Sequence, residues 1–380
     1  MDEDLRYWLG FNLVRGIGPV RLKALIDEFG DLKSAWEAPR AALDRVRLPQ
    51  RALSNLMEVR RQADLDRLLA RIERLGVHVL TWDSPDYPSL LTQLPDAPPV
   101  LFVRGEITPG DEWSVAIVGT RKASVYGREV ARRLAGELAQ NGVTIVSGLA
   151  RGIDGIAHRA ALEAGGRTLA VLGSGVDVIY PAEHRKLADA ISRNGAVVSD
   201  YPMGTKPEGV NFPPRNRIIS GLSLGVIVVE ASLRSGALIT ADFALDQGRE
   251  VFAVPGSILS PGSEGCNRLI RDGAHIVTEA RDVLEVLHLE QISEKQAARQ
   301  VLPESPTEAA IYAHLSAEPR HLDDLARKSG IPVEVVSSTL VMMELKGMVR
   351  QVSGLQYVRV AESGITYTTE APRGDGADHT

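Results

Sequence analysis

Six short apolar runs decide what this chain can become. They read SVAIVG (114–119), VTIVSG (143–148), TLAVLG (168–173), GAVVSD (195–200), GVIVVE (225–230) and EVFAVPG (250–256). Each is rich in β-branched residues and apolar without alternation. Helical patterns separate them: in YGREVARRLAGELAQNG, Val130, Leu134 and Leu138 share one face. A strand that is apolar on both sides must be covered on both sides, and strands joined through helices run parallel. The expectation is a doubly wound, Rossmann-like α/β domain over 113–288.

The flanks read differently. Residues 1–80 are helical and rich in arginine and leucine. There Gly16 and Gly18 bracket Ile17, Pro19 opens a helix, Leu22, Leu25, Ile26 and Phe29 follow at helical spacing, and Gly30 closes it. The pattern resembles a helix-hairpin-helix or SAM-like unit, with Arg15, Arg21 and Lys23 near a turn able to hold a phosphate. A proline-laden connector spans 81–112 and a linker 289–306. Three helical patterns and two short strands over 307–360 make a winged helix. The tail, 361–380, carries four acids, one arginine and little apolar content, and is expected to be disordered.

In an open parallel sheet, ligands bind at the carboxyl ends of the strands. Four such ends carry glycine and small polar residues: GTRKASVYG (119–127), SGLARGID (147–154), GSG (173–175) and EASLRSGALIT (230–240). Glycines let backbone approach a ligand, and helix N-termini aim amides at it. Gly119, Thr120, Ser147, Gly148, Gly173, Ser235 and Gly236 are therefore candidate anion contacts, with Arg121, Lys122 and Arg151 beside them. The segment 201–225 adds Lys206, Phe212, Arg215, Asn216 and Arg217 among four prolines, and is expected to stay irregular. A polynucleotide wants cations in a row for its phosphates and a ring for its bases. Locally, 121–133 carries five cations against one acid, although the whole chain has 43 basic and 49 acidic residues. Arg217 can serve equally well as a structural residue paired to an acid such as Glu230.

Ser147, Asp154 and His158 do not suggest a catalytic triad. Asp154 and His158 share one helix face, which leaves the serine on the wrong side of the imidazole. Asp154 suits the first turn of a helix, and His158 reads as a packing or hydrogen-bonding residue. One cysteine and scattered histidines exclude a zinc cluster and point to a reducing compartment. No Walker motif or dinucleotide fingerprint is complete, so no cofactor is expected. The acidic opening, MDEDLRYWLG, is unlike a signal peptide, and no apolar run is long enough to span a bilayer. A cytoplasmic protein is the expectation.

Taken in order, VAIVGTRKASVYG, VSGLARGIDGIAHRAAL, VLGSGVDVIYPAEH, FPPRNRIISGL, EASLRSGALITADFALDQGREVFAVPG and GCNRLIRDGAHIV resemble the DNA-processing protein A (DprA, or Smf) family over roughly 113–280. The resemblance implies a non-enzymatic protein that binds single-stranded DNA and loads the RecA recombinase onto it in natural transformation and recombination. It also implies a homodimer formed through the Rossmann-like domain. By motif it carries DNA contact onto Arg121, Lys206 and Phe212, with the SGLARG loop and Ser235-Gly236 as backbone donors. His184 stands where the family commonly has asparagine and Asp200 where it has glutamate; neither is expected to touch the anion site. On 236–249, Leu238, Ala241 and Leu245 would face the sheet. That turns Asp242, Phe243 and Asp246 outward, with Glu250 just beyond, as a candidate recombinase surface. Ile258, Leu259, Leu269 and Ile270 are candidates for the dimer surface. The third helix of the winged module (332–346) offers Ser337, Ser338 and Thr339 with one cation, Lys346, which is too little for reading base edges. The competing reading is a nucleotide-processing enzyme, such as a phosphoribohydrolase, with Glu230 as its acid.

Overall fold

In the computed structural model, which describes residues 4–289, 305–316, 319–345 and 348–359, all six apolar runs are strands of one sheet. Its strands are β1 (Val77–Thr81), β2 (Val100–Gly105), β3 (Ser114–Val118), β4 (Thr144–Ser147), β5 (Thr168–Val171), β6 (Gly195–Ser199), β7 (Gly225–Val228), β8 (Glu250–Ala253) and β9 (His275–Ile276). In space they run β1-β2-β6-β5-β4-β3-β7-β8-β9. Pairing is parallel from β6 to β9 and antiparallel where β1 and β2 are added. The chain lays β4, β5 and β6 on one side of β3, and β7, β8 and β9 on the other. The winding therefore reverses between β3 and β7.

Strand β3 shows why the runs are apolar without alternation. Val115 and Ile117 enter one core layer, with Leu134 and Leu138 of helix Val125–Gln140 and Ala157 and Ala161 of helix Ile153–Glu163. Ala116 and Val118 enter the other, with Ile218 and Ile219 of helix Phe212–Gly221 and Ala241 and Ala244 of helix Gly236–Asp246. Both faces are dry, so both sets of side chains must be apolar.

The sheet reaches further towards the N-terminus than the sequence suggested. β2 comes from the proline-rich connector, and its Val100, Leu101, Phe102 and Val103 are all at most 2% exposed. Pro98 and Pro99 lie just ahead of the strand, where a missing N–H costs no ladder bond. β1 then closes the edge through the register Val79↔Phe102. The helical region packs on this edge, with Val100 and Phe102 in its core. Within it, helix Pro19–Phe29 starts after Gly18 and ends at Gly30, whose φ of 85° suits glycine.

The winged module is a separate unit. Helices Pro306–Tyr312, Leu322–Ser329 and Val333–Leu345 close on Ile311, Leu325, Val336, Leu340 and Met343. Strands Arg320–His321, Gln356–Arg359 and Val349–Ser353 form its small sheet. Helix Val333–Leu345 exposes Glu334, Val335, Ser338 and Met342, so its outer face is apolar and acidic. Lys346, nearly all of the linker and the tail lie outside the described residues. Among the described residues, no helix is long and apolar enough to cross a membrane.

Candidate nucleic-acid interface

The reversal between β3 and β7 opens a crevice at the carboxyl ends of the strands, as it does in other doubly wound sheets. A cavity of about 500 Å³ lies there. Its walls include Thr120 and Arg121 after β3, Phe212 and Asn216 at the start of helix Phe212–Gly221, and Ser235 and Gly236 at the start of helix Gly236–Asp246. Ser235 caps that helix, accepting the Ala237 amide at 3.3 Å. Asn216 Nδ2 donates to the Gly236 carbonyl at 3.3 Å and ties the two helices together across the crevice.

A ring stands at the mouth. Phe212 is partly exposed, with the Arg121 guanidinium 5.4 Å and the Arg215 guanidinium 6.0 Å from its centroid. Tyr180 lies 5.8 Å from it at an interplanar angle of 32°. Gly173 makes room for the ring, because a Cβ there would sit 2.9 Å from Phe212 Cδ1. Arg121, Lys122 and Lys206 are exposed, with no salt bridge among the described residues, although Arg121 also draws on the Asp154 carboxylate in the cavity. Sequence reasoning passed over Tyr180 and Arg234, which is exposed and has no salt bridge among the described residues. With aromatics at only 5% of the chain, an unplaced tyrosine after β5 was the available signal.

Several expected contacts turn out to be committed within the protein. The segment 212–221 is helical rather than irregular, because Pro213 and Pro214 occupy its first turn, where no N–H is needed. That winding sends Arg215 inward to 5% exposure, where Nη1 donates to the Gly148 carbonyl at 2.8 Å and to the Val171 carbonyl. Burial pushes its pKa down to about 10, although Asp154 pulls the other way. Arg217 is structural, and its partners are Asp200 at 3.0 Å and Asp96 at 3.7 Å, not Glu230. Arg151 forms a bidentate exposed pair with Glu183, at 2.5 and 3.1 Å.

The SGLARG loop is likewise already occupied. Asp154 accepts the Gly148 and Ala150 amides at 3.2 and 3.3 Å, so the protein's own carboxylate fills that cluster of donors. Burial raises the Asp154 pKa against the pull of Arg215 and of these amides. Ser147 is fully buried and donates to the Ile117 carbonyl at 2.6 Å. Gly119 is chosen for packing, since a Cβ there would lie 2.6 Å from Ile153 Cγ1. Ser147 and Gly148 thus shape the site instead of reaching into it, whereas Gly119 and Arg215 line the cavity beside Asp154. Ser147, Asp154 and His158 each hydrogen-bond elsewhere, His158 Nδ1 to Thr168 Oγ1 at 2.6 Å. Glu230, the acid of the enzymatic reading, accepts the Ser124 amide at 2.9 Å and its hydroxyl at 3.1 Å. Its carbonyl takes the Thr120 amide at 2.7 Å, so it braces the Arg121 loop from both ends. Among the described residues, no group of acids, histidines and cysteine is placed to hold a metal ion.

Residues 78–288 match the family model described as DNA recombination-mediator protein A. This chain belongs to that family. Residues 295–354 match a second model, the DprA winged helix domain. Protein Smf of Escherichia coli K12 is 40% identical over 90% of this chain and 95% of its own length. Protein Smf of Synechocystis is 36% identical over 94% of this chain and 99% of its own. The X-ray structure of DNA processing protein A from Streptococcus pneumoniae covers 73% of this chain and 95% of that one, with a TM-score of 0.65 and 38% identity. A structure giving insight into the single-stranded DNA binding mode of DNA processing protein A from Helicobacter pylori covers 55% of this chain and 95% of that one, with a TM-score of 0.50 and 32% identity.

In this member of the DNA recombination-mediator protein A family, the two departures His184 and Asp200 do not line the crevice and act within the protein. His184 Nδ1 donates to the Leu149 carbonyl at 2.9 Å, and Leu149 holds a positive φ of 56°, which side chains of its kind avoid. Asp200 anchors Arg217, as described. On helix Gly236–Asp246, Leu245 is 61% exposed, against the expected sheet-facing position. The inward face is made of Ala237, Thr240, Ala241 and Ala244, which leaves Asp242, Phe243, Leu245 and Asp246 on the outer side. Glu250 is engaged with His275 at 3.0 Å. Ile258 and Leu259 are 87% and 89% exposed, whereas Leu269 and Ile270 pack partly against the core.

Proposed function

We propose that this chain binds single-stranded DNA across the crevice without sequence preference and passes the bound strand to the RecA recombinase, acting as a homodimer in DNA uptake and recombination. The observation that carries the proposal is the Arg121 guanidinium over the Phe212 ring at the mouth of the switch-point crevice. An exposed cation with no salt bridge among the described residues, beside a partly exposed ring, offers phosphate and base contact at once, and needs no particular base. The Helicobacter pylori relative supports the ligand class, and the family description supports the recombination role.

Binding of oligo-thymidine, followed by fluorescence anisotropy, tests this. Affinity should fall with salt at a log–log slope of roughly −0.7 per phosphate neutralised. Arg121→Glu with Lys206→Glu should abolish binding while thermal unfolding stays unchanged, and Phe212→Ala should cost about 1–3 kcal/mol of binding. Native affinity in the charge-reversed chain would place the site elsewhere. The recombinase arm uses Asp242→Lys with Asp246→Lys, which should slow RecA filament nucleation on the bound strand and leave DNA affinity intact. Unaltered nucleation would remove that helix face from the hand-off.

A further inference from the structure

A second basic surface lies beyond the crevice. Helix Leu65–Arg74 turns Leu65 and Ile72 into the core and leaves Arg67, Arg71 and Arg74 exposed. At about 100° per residue these three arginines fall within about 60° of one another. They line a cleft of about 480 Å³ with Ala70, Leu75 and Asp177. The helix's own acids, Asp66 and Glu73, do not line it, and Asp66 sits 3.3 Å from Arg6. Asp177 engages Arg71 at 2.5 Å. Arg67 and Arg74 have no acidic partner among the described residues. Like charges gathered on a concave surface repel one another, and an arriving anion relieves that repulsion.

Hydrogen-bonded loops connect the cleft to the elements that build the proposed DNA site. Asp177 Oδ1 accepts the Gly204 amide at 2.8 Å. A Cβ on Gly204 would lie 3.5 Å from Arg71 Nη1, so the loop passes directly beneath Arg71. Thr205 accepts the Gly175 amide at 3.0 Å, and exposed Lys206 comes next. Two residues before Gly175 is Gly173, against which the Phe212 ring packs. Exposed Gly204 and Lys206 thus follow in sequence from the loop under Arg71, while buried Gly173 backs the Phe212 ring.

We propose that this cleft grips the continuation of the same strand. Phosphates leaving the crevice past Lys206 are held by Arg67 and Arg74, while Asp177 fixes Arg71 between them. The inference rests on the single-stranded DNA reading and adds a second, length-dependent subsite on the helical region.

The test compares a short oligo-thymidine that fills only the crevice with a longer one, on the full chain. In the native protein the longer strand should bind more tightly. Two more phosphates neutralised should steepen its salt slope by about 1.4, so a fourfold rise in salt should erase about sevenfold of the advantage. Arg67→Glu with Arg74→Glu should leave short-strand affinity unchanged and remove the long-strand gain; Arg67→Gln with Arg74→Gln should remove most of it, with unfolding temperature as the control for folding. Native long-strand affinity and salt slope in the charge-reversed chain would overturn the inference. Failure of the crevice reading looks different: Arg121→Glu would then leave short-strand binding intact.

Discussion

Thr168 has one hydroxyl proton and gives it to the Ile145 carbonyl at 2.6 Å. His158 Nδ1, also 2.6 Å from that hydroxyl, must then be the donor, which leaves Nε2 as a buried lone pair with no partner. Burial, reinforced by the charges of His184, Arg159 and Arg215, pushes the imidazole pKa down to about 3, from 6.5 in the open chain. The unfolded chain therefore binds the proton first. Stability from this group is complete above about pH 6.5 and declines by about 1.4 kcal/mol per unit as pH falls towards the folded value. Asp154 and Asp200, whose pKa values burial raises, act with the opposite sign. Urea unfolding of the native chain and of His158→Gln at several pH values cancels those carboxylates and should show the native curve falling more steeply below about pH 6.5; parallel curves would mean the imidazole does not titrate as described. Residue type made His158, Arg121, Lys206 and Phe212 legible in the sequence. It could not separate Arg121 from Arg215, because the fate of a guanidinium depends on which carbonyls the folded chain brings beneath it. Nor could it show that Asp154 would fill the amides offered by its own loop.

The loops around the crevice work because a few positions admit no side chain. Gly152 opens helix Ile153–Glu163 at a φ of 74°, and a Cβ there would lie 2.2 Å from the Thr120 carbonyl. Gly152→Ala should cost at least about 1–3 kcal/mol from the backbone alone and displace the Arg121 loop, so DNA affinity and melting temperature should fall together. Gly136, inside helix Val125–Gln140, has open space around its Cα. There the same substitution should stabilise by up to about 1 kcal/mol and leave binding unchanged. Thermal unfolding of the two variants separates loop geometry from helix propensity; equal effects would contradict it. At this scale the strands were legible because continuous apolar runs have few other uses. Helix Phe212–Gly221 was not, since paired prolines stop a helix interior and start a helix equally well. β2 was hidden by the prolines ahead of it.

At the scale of the molecule, a chain six charges to the acidic side of neutral still leaves Arg121, Lys122 and Lys206 exposed, so local charge rather than net charge bears on what it binds. The proposed homodimer has a local test. Ile258 and Leu259 are exposed neighbours on the loop after β8. Ile258→Glu with Leu259→Glu should convert a dimer into a monomer by light scattering while each crevice still takes a short strand; a dimer that survives the change would move the contact elsewhere. The doubly wound order was readable from alternating strand and helix patterns, but the antiparallel hairpin that extends the sheet was not. That hairpin has a practical consequence for dissecting the protein. A fragment trimmed at residue 80 would keep β2 and strip away the ribbon it is zipped to. What remained would bear a raw seam of unsatisfied amides and carbonyls backed by Leu101 and Phe102, an invitation to stack with its own kind. The helical region is a selvedge woven into the cloth, and precipitation of such a fragment would say nothing about whether the crevice can fold.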